Sequence, residues 1–144
     1  MKTKIGRYLI AGIWLLVGFG KFFIVIAEVI SQKALISPVM GKLAEETNLS
    51  FYRQICNNYY IPYALFFIFM ATTIEIISGF LILKGKVFAR FGFLGVSFIL
   101  LTYLPFHHGG ALIGNSILLL LQITLAFQKS EEDLLQGIIK KFKK

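Results

Sequence analysis

Lys21 and Glu75 are the residues best placed to do chemistry, because each is an ionisable group inside a long apolar run. Glu75 lies in the stretch from Ile61 to Arg90. That stretch opens with Ile61-Pro62, stays largely apolar from Tyr63 to Leu83, and closes in the basic turn Lys84, Gly85, Lys86 to Arg90. At a rise of about 1.5 Å per residue, such a helix spans a hydrocarbon core of roughly 30 Å and places Glu75 about 12 Å from its basic end. A charge at that depth costs at least about 2.5 kcal/mol, so the carboxylate must face protein and have a partner. Lys21 lies in the first apolar run, about 18–20 Å from the end near Tyr8, and the offset of roughly 6–8 Å is within reach of a lysine stem. The expected pair is Lys21 with Glu75. The competing expectation is that Lys21 snorkels outward and Glu75 is neutral. An ammonium and a carboxylate sharing a low-dielectric site can relay a proton, and a quinone headgroup needs such donors and acceptors beside an apolar slot for its tail.

The polar residues around this pair follow helical faces. Arg7, Trp14, Gly18, Lys21, Val25 and Glu28 fall within an arc of about 80° at 100° per residue. Ala71, Thr72, Ser78 and Gly79 share the face of Glu75; Gly92, Gly95 and Thr102 share one, as do Asn115, Gln122 and Ala126. Small residues let helices approach, and buried amides find hydrogen bonds, so these faces form the expected interior. Polar glue in a bundle accounts for them without a substrate. On the functional reading they frame a small polar pocket near Glu28 and the first connector.

Other chemistry finds little support. His107 and His108 are adjacent, so they point to different sides of a helix, and no carboxylate or cysteine follows at ligand spacing. No metal or haem site is expected. Cys56 is the single cysteine, which excludes an internal disulfide and a CxxC redox pair. Gly18-Phe19-Gly20 and Gly109-Gly110 lack the strand-turn-helix setting of a phosphate loop. No serine or cysteine nucleophile is recognisable, and no catalytic residue is assigned.

The elements that must position the pair are membrane helices. Of the 144 residues, 57% are apolar, and mean hydropathy is +0.77. Helices apolar all round have no solvent face, so residues 1–144 are expected to form a single membrane domain. The net charge of +8 does not form a soluble basic patch for nucleic acid; it gathers at the ends of apolar runs. The expected fold is all-α, an integral-membrane four-helix bundle with spans at about 8–30, 63–83, 88–104 and 111–127. The first run is too long for a signal-peptide core, carries Lys21 and Glu28, and precedes no clear cleavage site, so it is expected to be retained.

The connector 31–60 is expected outside, as interfacial helices lying on the bilayer or as a loop capping the bundle. Ser37-Pro38 reads as N-cap and first helical residue, Asn48 as a stop, and Ser50 as the start of a helix carrying Phe51, Tyr52 and Ile55. Tyr52, Tyr59, Tyr60 and Tyr63 suit a membrane–water interface. The tail 130–144 reads as a cytoplasmic amphipathic helix, acidic at its start and basic at its end. Lys2, Lys4, Arg7, Lys84, Lys86, Arg90, Lys129, Lys140, Lys141, Lys143 and Lys144 fall on one side, against Lys33, Lys42 and Arg53 on the other. Both termini are therefore expected to be cytoplasmic.

The chain resembles the DoxX-like family of small four-span membrane proteins. The resemblance rests on Arg7 with Gly18-x-x-Lys21, on Ile61-Pro62, and on Glu75-Ile-Ile-Ser-Gly79-Phe-Leu-Ile-Leu-Lys-Gly85 followed by Ala89-Arg90. It implies a four-helix bundle in the bacterial cytoplasmic membrane and a link to membrane redox assemblies, with Lys21, Glu75 and Arg90 as family positions. The long connector and basic tail extend beyond the family's short form.

The expected function is that of an auxiliary membrane subunit of a redox-linked complex, contacting quinone at the Lys21/Glu75 site. Arg7, Glu28, Thr72, Arg90, Asn115 and Gln122 are the supporting polar positions. The expected partners are the bilayer and either a partner protein or further copies of the chain. Two alternatives stand beside it. One is a quinone-reducing subunit of the thiosulfate:quinone type, which would need an external electron carrier. The other is a small proton or solute pathway formed by an oligomer.

Overall fold

The computed structural model describes residues 2–47, 49–106 and 109–127. All regular structure among them is helical: α1 (Lys2–Ser31), α2 (Ile36–Glu46), α3 (Ser50–Ile55), α4 (Ala64–Lys84), α5 (Lys86–Tyr103) and α6 (Gly109–Phe127). A π-helical turn, Cys56–Tyr60, continues α3, and a 3₁₀ turn, Leu104–Phe106, follows α5. His107, His108, Asn48 and the tail 130–144 lie outside the described residues.

Among the described residues, three helices are long and apolar enough to cross a membrane: Ile5–Ser31, Ala64–Lys84 and Gly110–Phe127. A shorter apolar helix, Val87–Tyr103, stands beside them. Their pattern is the reverse of a water-soluble helix. In α4 the buried residues include Ala71, Thr72, Glu75, Ser78 and Gly79, whereas Phe66, Phe69, Met70, Ile77 and Phe80 are exposed. Such a surface is stable against hydrocarbon, and the small residues inward let the backbones approach.

Glycines mark where that approach is closest. A Cβ at Gly18 would meet the Ile76 side chain at 2.7 Å, and one at Gly79 would meet Leu15 at 2.7 Å, so α1 and α4 pack backbone to side chain. A Cβ at Gly92 would lie 2.6 Å from the Ser78 carbonyl oxygen, which brings α5 equally close to α4. Gly110 and Gly114 of α6 have open space instead. The principal packing therefore runs α1 on α4, α4 on α5 and α5 on α6. Gly85 alone joins α4 to α5, at φ 81° and ψ −168°, a region open essentially to glycine.

The start of α2 differs from the expectation. Ser37 lies inside the helix rather than at its N-cap, and its hydroxyl donates to the Ile61 carbonyl at 3.4 Å. The capping acceptor is a carboxylate from α1. Glu28 Oε2 accepts the backbone N–H groups of Leu35 at 3.1 Å and Ile36 at 2.8 Å. A carboxylate satisfies these orphan donors and complements the positive end of the helix dipole. Gln32, at φ 53°, turns the chain from α1 towards this cap.

The connector is tied to the far end of α5. Thr47 Oγ1 donates to the Pro105 carbonyl at 2.9 Å, Tyr52 Oη donates to the Thr102 carbonyl at 2.5 Å, and Arg53 donates to the carbonyls of Glu45 and Thr47 at 3.2 and 2.8 Å. These bonds hold α2 across the helix ends. Ile36, Met40 and Ala44 are its buried residues.

Candidate functional site

The close packing of α1 on α4 at Gly18 sets Lys21 one turn beyond the contact, level with Glu75. Lys21 Nζ donates to Glu75 Oε1 at 2.5 Å. The two side chains differ in access. Glu75 is fully buried, while the Lys21 side chain keeps 25% of its surface. The ammonium also lies 4.9 Å from the centre of the Tyr103 ring, so α5 contributes an aromatic face to the same charge.

The pair lines a cavity of about 410 Å³. Its walls come from α1 (Trp14, Val17, Lys21), α2 (Ile36, Val39, Met40), α4 (Ile68, Glu75), α5 (Leu100, Tyr103) and α6 (Asn115). A volume of this size, apolar with few polar groups, is of the kind that holds a small molecule. A second cavity of about 180 Å³ shares Met40, Ile68 and Tyr103 with the first and is otherwise lined by residues such as Tyr60, Phe67 and Phe98.

Several buried polar atoms here make no hydrogen bond among the described residues: Glu75 Oε2, Trp14 Nε1, Thr72 Oγ1 and Gln122 Nε2. An unmade bond on a buried polar group costs roughly 1–3 kcal/mol; of these atoms, Glu75 Oε2 and Trp14 Nε1 belong to residues of the cavity wall.

The remaining candidates separate by position. Asn115 joins Lys21 and Glu75 at the cavity. Thr72 is buried one turn from Glu75 on the same helix. Gln122 is fully buried, with Ser97 Oγ donating to its Oε1 at 3.4 Å, on the α5–α6 side. Arg7 is buried near the basic end of α1, its guanidinium 5.2 Å from the Tyr8 ring centre. Glu28 serves the α2 cap. Arg90 is exposed on α5, two turns on the basic side of Ser97. It lines neither cavity.

Sequence reasoning missed Tyr103 and the α2 wall. The aromatic at the last position of α5 carried no signal of a cationic neighbour, and Ile36, Val39 and Met40 read equally well as residues lying on lipid. In the connector, burial pushes the Cys56 thiol above its ordinary range, which leaves it a packed and unreactive group. Burial, with Tyr60 and Cys56 nearby, pushes the Tyr52 phenol up to about 12, in keeping with its role as donor to Thr102. Comparison of the chain with family models, curated proteins and solved structures returns no match.

Proposed function

We propose that this chain is an auxiliary integral-membrane subunit of a redox-linked complex and that its cavity receives a quinone. In this reading the helices form a four-helix bundle in the bacterial cytoplasmic membrane with both termini cytoplasmic, as the distribution of lysines and arginines favours. One observation carries the proposal: an otherwise apolar cavity of about 410 Å³ has an ion pair in its wall, with the lysine partly accessible and the carboxylate behind it.

The residues fit such a ligand. A quinone carbonyl accepts hydrogen bonds, and the Lys21 ammonium has three donors, of which Glu75 takes one. Val17, Val39, Met40 and Leu100 offer the apolar surface that a tail requires. Glu75 balances the lysine charge, so a neutral headgroup enters without leaving a net charge in hydrocarbon. When bound, a quinone carries electrons and protons between membrane proteins. The chain holds one cysteine and no dithiol pair to carry electrons itself, so the role assigned to it is holding and orienting the ligand beside a partner.

The test is to extract the chain from its native membranes in mild detergent and identify what remains bound at stoichiometric amounts. A quinone together with an oxidoreductase is the expected result. The chain emerging without quinone, alone or with a non-redox membrane machine, would refute the proposal.

A further inference from the structure

The polar atoms that a ligand can reach in the large cavity differ in kind. Lys21 is the partly exposed member of the pair, and an ammonium is a donor only. Glu75, the acceptor, is fully buried: Oε1 is taken by Lys21, and Oε2 has essentially no accessible surface. A ligand hydroxyl seeking an acceptor therefore meets the lysine in front of the carboxylate. Asn115, half-buried in the α6 wall, and the Tyr103 hydroxyl both donate and accept, so they serve either kind of headgroup.

We infer that the cavity is selective for the oxidised, carbonyl-bearing form of a quinone over its quinol. The inference rests on the reading that the cavity takes a quinone, and it adds which redox form is held. A carbonyl oxygen accepts from Lys21 Nζ with its lone pairs directed at the ammonium. A quinol hydroxyl can offer its oxygen there as well, but its proton must then turn to Asn115 or the Tyr103 hydroxyl, or face apolar wall. Where it faces the wall, a buried hydroxyl without a partner is disfavoured by enough to change affinity about tenfold or more. Tighter binding of the oxidised form lowers the midpoint potential of the bound couple, by about 30 mV for each tenfold difference in a two-electron couple. The cavity would then retain quinone and release quinol to the bilayer.

Trp14 reports on occupancy, being the single tryptophan of the chain and part of the cavity wall. The experiment titrates the purified chain in detergent with a decyl-substituted benzoquinone and, anaerobically, with its hydroquinone. Trp14 fluorescence is corrected for ligand absorbance. The expected result is saturable quenching by both, with the quinone at least about tenfold tighter. Equal affinities, or a tighter quinol, would overturn the inference and leave the quinone reading standing. Absence of saturable quenching by either form would overturn both. Replacing the pair together, Lys21→Met with Glu75→Leu, keeps the wall apolar without stranding a charge, and it should remove the preference between the two forms. A preference that survives the double replacement would assign the selectivity elsewhere and refute the role of Lys21.

Discussion

The ammonium of Lys21 is held from two sides, hydrogen-bonded to Glu75 and facing the Tyr103 ring with 4.9 Å to its centre. Three helices, α1, α4 and α5, thus converge on one charge. The carboxylate neutralises it, and the ring supplies a negative face where water is scarce, a contact worth about 0.5–2 kcal/mol depending on desolvation. The Lys21 side chain keeps 25% of its surface and lines the cavity, which links the stability of the helix packing to the chemistry of the site.

Breaking the pair from one side should be costly. Lys21→Met leaves Glu75 buried without its counter-charge, and the expected loss is about 3–5 kcal/mol in unfolding of the detergent-solubilised protein. Combining it with Glu75→Leu should recover most of that loss, because the buried charge disappears with its partner. A double variant as unstable as the single one would show that the pair is not what holds these helices.

Glycine positions divide into tight and open ones. Gly92→Ala places a methyl 2.6 Å from the backbone oxygen of Ser78, which α4 cannot move aside without separating from α5. A loss of about 1–3 kcal/mol is expected. Gly114→Ala, where nothing lies within 4 Å, should be neutral or slightly stabilising. The contrast between the two in one unfolding assay is the check.

The cap on α2 comes from a different helix, so its loss should be felt locally. Glu28→Ala removes the acceptor for the N–H groups of Leu35 and Ile36. The expected cost is about 1 kcal/mol, seen as faster amide hydrogen exchange through 36–46 with α4 and α5 unchanged. Exchange rising equally across the whole protein would contradict a local cap.

Tyr52 gives a pH dependence with a definite sign. Its phenol is pushed from the usual 10 up to about 12 by burial first, then by Tyr60 and Cys56. A folded value above the unfolded one means the folded state holds the proton more tightly. Its contribution is complete below about pH 10 and is lost as pH rises through about 12. Tyr52→Phe should therefore lower the tyrosinate absorbance by only about a tenth of one tyrosine at pH 11 and by about half of one at pH 12. A full tyrosine's worth of absorbance lost already at pH 11 would show that Tyr52 titrates normally.

How far the molecule could be read from its residues depended on the kind of signal. The inward face of α4 was legible because Glu75 is too costly to leave in hydrocarbon, and Ala71, Thr72, Ser78 and Gly79 recur beside it at helical spacing. The two ends of α4 followed from Pro62 and the basic turn at Gly85. The α2 cap was not legible, since Ser37-Pro38 is a sound local signal and the competing acceptor, Glu28, arrives only when α1 has turned back at Gln32. The cavity was not legible either. It needs Met40 of α2, Tyr103 of α5 and Asn115 of α6 to meet around one lysine, and no spacing within a single helix records that meeting.

The central claim is that a lipid-soluble ligand enters the cavity and reaches the Lys21–Glu75 wall, and Trp14 fluorescence tests it most directly. The account predicts that decylbenzoquinone quenches Trp14 saturably, at about one ligand per chain. In Val39→Phe, which adds bulk from the α2 wall at a residue 57% exposed, the quenching should weaken at least about tenfold. Quenching that rises linearly with quinone, and is the same in the variant, would mean collision in the detergent phase and would contradict the site.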